Sequence, residues 1–144
     1  MPQDRPLVMD APALNAFLAE AFEQVRDEVR VEAVSPGTIT VRLHVAQRHL
    51  RPGGTVSGPA MFALADVAVY LMTLAMIGPQ ALAVTTSASL DFMRKPQAGR
   101  DLLAEGRLLK LGKTLAVGDV LIRSEGDASV VARASMTYAI PPRR

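Results

Sequence analysis

Apolar residues recur with helical spacing near the start of the chain. Over residues 13–25, Leu14, Phe17, Leu18, Phe22 and Val25 fall on one face. Asp10 and Pro12 just upstream fit a helix start. The period then changes to two. Residues 29–34 and 38–45 read as strands joined by a Ser35-Pro36-Gly37 turn. In the second strand Ile39, Val41, Leu43 and Val45 alternate with Thr40, Arg42 and His44. A loop rich in Pro and Gly covers 49–58. From Pro59 to Ile77 the pattern becomes apolar on every side, with Asp66 as the single charge, and Gly78-Pro79 is a helix stop. Four strand-like runs follow, at 82–94, 102–111, 114–124 and 129–140. They are separated by Lys95-Pro96, Gly112-Lys113 and Gly126-Asp127. The tail at 141–144 is expected to fray.

This order predicts an α+β domain: an N-terminal helix, then an antiparallel sheet packed against one long helix. That helix is too apolar to turn an outer face to water, so the sheet wraps around it, a second subunit covers it, or both. Its 19 residues from Pro59 to Ile77 also reach the length of a membrane span. A mid-span carboxylate is costly in lipid, alanine is only mildly apolar, and the amphipathic strands need something to pack on. We therefore expect a buried core helix and no membrane association.

Composition narrows the chemistry. A chain of 144 residues with 49% hydrophobic and 21% charged residues suits one globular domain, 1–144. The absence of cysteine excludes disulfides, thiolate catalysis and Cys-based zinc sites, and two histidines are too few for a multi-His metal site within one chain. No metal or cofactor is expected. Net charge is +2, arginines are scattered and aromatics make up 4%, which argues against nucleic-acid binding. The first ten residues lack a secretory signal pattern, so a cytoplasmic location is expected.

Two features can carry chemistry. Ser57 is a good N-cap and Pro59 suits the first helical turn; Gly58 between them has an N–H that the helix cannot use. Such an amide favours negative charge and can hold an oxyanion, or it is simply a well-formed helix start. Asp66 is the other. A carboxylate in a dry core costs several kcal/mol unless paired or solvated, and no Lys or Arg lies one turn away on the helix. It is either a structural carboxylate bonded to amides or hydroxyls, or a general base or nucleophile opening on a pocket. Tyr70, at i+4, is placed to hydrogen-bond it. Eight residues of helix span roughly 12 Å, so Gly58 and Asp66 of one chain cannot both touch one carbonyl. If both act, they come from different subunits of a homodimer.

The run Pro52-Gly53-Gly54-Thr55-Val56-Ser57-Gly58-Pro59, followed by Leu64-Ala65-Asp66, resembles the hotdog-fold acyl-CoA thioesterases of the phenylacetate-pathway type. Asp91-Phe92-Met93-Arg94-Lys95-Pro96 and Leu111-Gly112-Lys113-Thr114-Leu115-Ala116 fit the same pattern, and the likeness spans residues 29–138. It implies the hotdog fold, a homodimer or dimer of dimers, and an acyl-CoA substrate whose coenzyme A needs no further cofactor. It places Asp66 as the catalytic carboxylate, the Gly58 N–H in the oxyanion hole and the Thr86 hydroxyl on the catalytic water. Thr86 would share the helix-facing side of its strand with Ala88, Leu90 and Phe92. Arg94, Lys95 and Lys113 at strand ends, with Thr114, are candidates for the coenzyme A phosphates, and Met61, Met72 and Met76 for core or acyl pocket. Two positions depart from the family pattern. Arg51 stands where an Asn is usual, and Ser57-Gly58-Pro59 stands for His-Gly-Gly. Arg51 can pair with the Asp66 of the other subunit, or steady an acyl carboxylate or the oxyanion. His49 is read as a loop contact. The alternatives to hydrolysis are a non-catalytic acyl-CoA or acyl-ligand binder, and a structural dimer with a closed helix interface.

Overall fold

The computed structural model describes residues 1–23 and 25–142. Along the chain run α1 (Ala11–Ala21), β1 (Val29–Ser35), β2 (Thr38–Leu43), α2 (Gly58–Ile77), β3 (Val84–Phe92), β4 (Leu102–Leu111), β5 (Leu115–Ser124) and β6 (Val130–Ala139). Short 3-10 turns occupy Pro2–Asp4 and Gln47–His49. The expected α+β order is present. The strands form one antiparallel sheet in the order β1-β2-β4-β5-β6-β3. The chain leaves α2 and crosses to the far edge, where β3 pairs only with β6.

The sheet wraps α2. Every residue from Ala68 to Met76 is buried, along with Met61, Leu64 and Ala65. Alanines at 65, 68 and 75 let the sheet approach closely, and the buried Thr73 hydroxyl is satisfied by the Val69 carbonyl at 2.8 Å. The three methionines are therefore core. Gly106 on β4 and Gly118 on β5 make room for Met72: a Cβ at Gly118 would lie 2.9 Å from the Met72 Cε, and one at Gly106 3.2 Å from it. Glycine here lets the strands pass over a long side chain.

The N-terminal helix packs as its pattern requires, with Leu14 and Leu18 buried and Phe17, Phe22 and Val25 against the core. Asp10 caps it, accepting from the Ala13 N–H at 3.0 Å. The helix ends at Ala21, short of the expected residue 25; Gln24 and the last two residues of the chain lie outside the described residues. Asn15 docks α1 on β1. Its amide receives the Val31 N–H at 2.9 Å and donates to the Val31 carbonyl at 3.2 Å.

One strand face differs from the expected one. In β3, Thr85 pairs with Tyr138 and Ser87 with Thr137, so Thr86 is the extra residue of a β-bulge. A one-residue insertion flips the side-chain parity. Ala88, Leu90 and Phe92 stay on the helix side, opposite Met136, Ala134 and Ala132, but Thr85 joins them and Thr86 does not.

Replacing Gly118 by Val should overpack the Met72 contact and destabilise the fold by about 1–3 kcal/mol. In chemical denaturation, the Gly118→Val, Met72→Ala double variant should lose less than the sum of the two single losses. Additive losses would show that Met72 is not the neighbour that excludes a side chain there.

Candidate active site

Asp66 lies midway along α2, where β3 and β6 cross it. Thr85 Oγ1 donates to Asp66 Oδ1 at 2.5 Å. The Tyr138 hydroxyl lies 2.7 Å from the same oxygen and 3.0 Å from the Asp66 carbonyl. Among the described residues Oδ2 accepts nothing, and no cation pairs with the carboxylate. Hydroxyl dipoles thus replace a counter-ion: one oxygen is fixed and the other is available. A half-buried anion held this way is compensated without its charge being neutralised.

The carboxylate opens on a cavity of about 260 Å³. Leu18, Phe22 and Val25 of the N-terminal segment form one wall, and Val67 and Tyr70 of α2 another. The residues entering β3 complete it. Three aromatic rings lead inward: Phe22 meets Tyr70 edge-on at 5.4 Å, and Tyr70 lies 5.8 Å from Tyr138. Burial pushes the Tyr138 phenol far above its ordinary value, and the adjacent Asp66 charge acts in the same direction, against the Thr85 hydroxyl. Burial alone raises Tyr70.

The clamp corrects two expectations. Thr86 does not reach the site; its hydroxyl faces the Thr137 carbonyl at 3.4 Å on an exposed position. The bulge gives its place to Thr85. Tyr70 does not bond Asp66 either: its hydroxyl points to the Ala81 carbonyl at 3.4 Å. The i+4 spacing puts the rings on one face, but a phenol reaches past a neighbour one turn away. The tyrosine that does bond Asp66 is Tyr138, which the sequence reading missed. A signal existed. Ala132, Ala134, Met136 and Tyr138 are the inward set of β6, and only the last has a polar tip to satisfy.

The helix start is built as expected. Ser57 accepts from the Ala60 N–H at 3.3 Å, and Pro59 follows Gly58 in the first turn. The Gly58 N–H has no acceptor among the described residues. The ring of Phe92, at the far end of β3, lies against Gly58, 3.4 Å from where a Cβ would stand. The loop before it closes on itself. The Ser57 N–H bonds the His49 carbonyl at 2.7 Å, the Arg51 N–H bonds Thr55 at 2.9 Å, and Gly53 and Gly54 take positive φ of 102° and 84°. His49 is buried, its Nδ1 accepting from the Ala46 N–H at 2.8 Å, in keeping with a loop contact. The exposed Arg51 side chain makes no ion pair among the described residues. Arg94 and Lys95 are exposed just past β3. Lys113 and Thr114 sit in the β4–β5 turn, beside Arg5, at the other end of the sheet. Arg94 and Lys113 therefore do not form one patch within a chain.

A six-stranded antiparallel sheet wrapped on one buried helix, here with a hydroxyl-clamped carboxylate in mid-helix, defines a hotdog-fold protein. The thioesterase superfamily model matches residues 53–138, and the chain belongs to that superfamily. It is similar to a Silicibacter sp. TM1040 protein, described as a candidate thioesterase, whose crystal structure superposes with a TM-score of 0.91 at 62% identity over 97% of each chain. A variant of the phenylacetic acid degradation protein PaaI from Thermus thermophilus matches at 29% identity and a TM-score of 0.71, covering 83% of this chain and 99% of that one. Human acyl-coenzyme A thioesterase 13 is 25% identical over 121 residues, 83% of this chain and 84% of the relative.

The shifted phenols set an alkaline limit. Their ordinary value is 10.0, which the unfolded chain keeps and the folded chain exceeds. The folded state therefore holds its phenolic protons longer. This stabilisation is fully present below pH 10.0 and is lost as pH rises through the raised folded values. In denaturant titrations across this range, Tyr138→Phe should flatten the alkaline fall in stability. Ultraviolet absorbance of the folded protein should show no tyrosinate at the ordinary phenol pH.

Proposed function

We propose that the protein is an acyl-CoA thioester hydrolase with Asp66 as general base. The carrying observation is the asymmetry of this carboxylate: Oδ1 is clamped by Thr85 and Tyr138, Oδ2 accepts nothing among the described residues, and Asp66 lines the cavity. Oδ2 takes a proton from water as its oxygen adds to the thioester carbonyl. The tetrahedral oxyanion then collapses, the C–S bond breaks, and the proton passes to the departing thiolate. The clamp aims the carboxylate and leaves one oxygen without a partner, as a general base requires. Thr85, rather than Thr86, is its positioning hydroxyl. The reading calls on no metal or other cofactor, and we place the reaction in the cytoplasm.

The oxyanion donor is the Gly58 N–H of a second subunit. β3 supports this in two ways. It is an open sheet edge with neither Pro nor Lys, and Val84 and Phe92 at its two ends are more than half exposed; such an edge is a template for pairing. Its ends also differ: Thr85 marks the Asp66 end, and Phe92 marks the Gly58 end, roughly 20 Å away. Antiparallel pairing of two β3 edges sets the Asp66 end of one protomer beside the Gly58 end of the other. Arg51, Arg94 and Lys95 of one protomer and Lys113 of its partner then flank the site, where the phosphates of coenzyme A can be met. A dimer of dimers keeps this unit.

Asp66→Ala should lower kcat on a responsive acyl-CoA by about 10²–10⁴-fold; a variant matching wild type would overturn the mechanism. For the amide, Gly58→Pro is the sharper test. Ser57 already has the extended ψ of 154° that precedes proline, and the first helical position tolerates it. The change removes the N–H, so kcat should fall about 10²–10³-fold, with circular dichroism and thermal unfolding checking that the helix start beside Phe92 and Pro59 is kept. Mixing Asp66→Ala with Gly58→Pro protomers should restore part of the activity, because one site of each mixed dimer keeps both groups. Ligand-dependent stabilisation of wild type without turnover of any acyl-CoA would favour an acyl-CoA binder instead.

A further inference from the structure

The cavity at Asp66 has an unusual division of polarity. Among the described residues Asp66 is the one carboxylate along it, and no Lys, Arg, His, Asn or Gln lines it. Its hydroxyls are committed: Thr85 and Tyr138 donate to Asp66, and Tyr70 donates to the Ala81 carbonyl. Beyond the carboxylate the walls are hydrocarbon and ring, from Leu18, Phe22, Val25, Tyr70 and Val84. One wall comes from the N-terminal segment, which lies before the superfamily match at residues 53–138. That segment is docked firmly, by Asn15 on Val31 and by the edge-on contact of Phe22 with Tyr70.

From this we propose that the cavity is the acyl pocket, that it takes unsubstituted hydrocarbon acyl groups of short to medium length, and that Phe22 sets the length limit. The proposal rests on the thioesterase reading and adds a substrate class to it. Three arguments carry it. First, a group ending in a carboxylate would meet the Asp66 carboxylate, with no cation among the described lining residues to balance it. Second, a hydroxylated acyl group would find no free side-chain donor among those residues, and its own polar atom would be left unpaired. Third, size sets the scale. A water-sized group occupies about 30 Å³, so a cavity of about 260 Å³ holds roughly eight such groups. An acyl chain of about that many carbons, or a single aromatic ring with its linker, fills it. Phe22 lies on the cavity wall with its ring edge-on to Tyr70, on the segment that is outside the superfamily match.

The test is a chain-length series of saturated acyl-CoAs from acetyl to hexadecanoyl, with succinyl-CoA and a 3-hydroxyacyl-CoA added. Wild type should give its highest kcat/KM at or below about eight carbons, and should turn over succinyl-CoA at least tenfold less well than butyryl-CoA. Phe22→Ala should raise the dodecanoyl-to-hexanoyl ratio of kcat/KM by about tenfold or more, and Phe22→Trp should move the optimum to shorter chains. Circular dichroism and thermal unfolding of both variants check that the fold is kept; if one fails to fold, the other decides. Turnover in which neither variant changes the profile overturns the pocket assignment and leaves the hydrolase reading standing. A wild type that hydrolyses none of the series overturns the hydrolase reading. The pocket is then decided by binding of non-hydrolysable S-alkyl-CoA thioethers. Affinity that depends on chain length and is altered by Phe22→Ala upholds the pocket, and affinity indifferent to both overturns it.

Discussion

The structure depends on burying a helix that has one charge in its middle. An apolar α2 gives the sheet its core, and without Asp66 the packing could close on every side. A lone carboxylate in that position would cost several kcal/mol. The fold meets this cost with Thr85 and Tyr138, both donating to one oxygen. No cation pairs with the carboxylate among the described residues. The hydroxyls compensate by direction rather than by charge, and they leave Oδ2 without a partner among those residues. Packing and chemistry therefore make opposite demands on Asp66, and the clamp is the arrangement that satisfies both.

That clamp makes β3 the organising strand. Its bulge turns Thr85 inward, its edge is open, and its two ends approach Asp66 and Gly58 separately. Edge strands normally carry something that discourages pairing. β1, at the opposite edge, has Arg30, Glu32 and a bulge, and it is further tied down by Asn15. β3 has one charge, Asp91, near its end, and Arg133 pairs with it at 2.8 Å. The contrast between the two edges is what gives a paired-β3 dimer its physical basis.

The order of elements, the buried central helix and the helix start at Ser57 were legible because each rests on a local rule: period, cap, stop signal. The strands at 102–111 and 115–124 come within a residue of expectation for the same reason. Two things were not legible. A single inserted residue at Thr86 leaves the alternation of Ala88, Leu90 and Phe92 intact and changes only what precedes it, so sequence alternation assigns the wrong threonine. The pairing of Tyr138 with Asp66 spans 72 positions, and nothing local to either residue announces it. Tyr70 looked the better partner because sequence reasoning favours near neighbours, whereas a phenol hydroxyl is carried past the adjacent turn. The lining of the cavity by Phe22 and Leu18 was hidden too, since their spacing showed a helix face but not what it covers.

On the proposed reading, chemistry and selectivity occupy different parts of the chain. Gly58, Asp66, Thr85 and Tyr138 all lie inside the segment that matches the superfamily, whereas Leu18, Phe22 and Val25 lie before it. A catalytic carboxylate tolerates little change in its surroundings, because each clamp atom is held by sheet register and helix packing together. The N-terminal wall has no such constraint. It needs only an apolar surface held at the right distance, and the Asn15 dock fixes that distance through one side chain on the backbone of β1. A change at Phe22 can therefore alter cavity depth without moving Asp66, which lies beyond the rings of Tyr70 and Tyr138. On the proposed reading, the acyl group accepted can be altered from the N-terminal segment, and the bond broken is determined by α2 and β3.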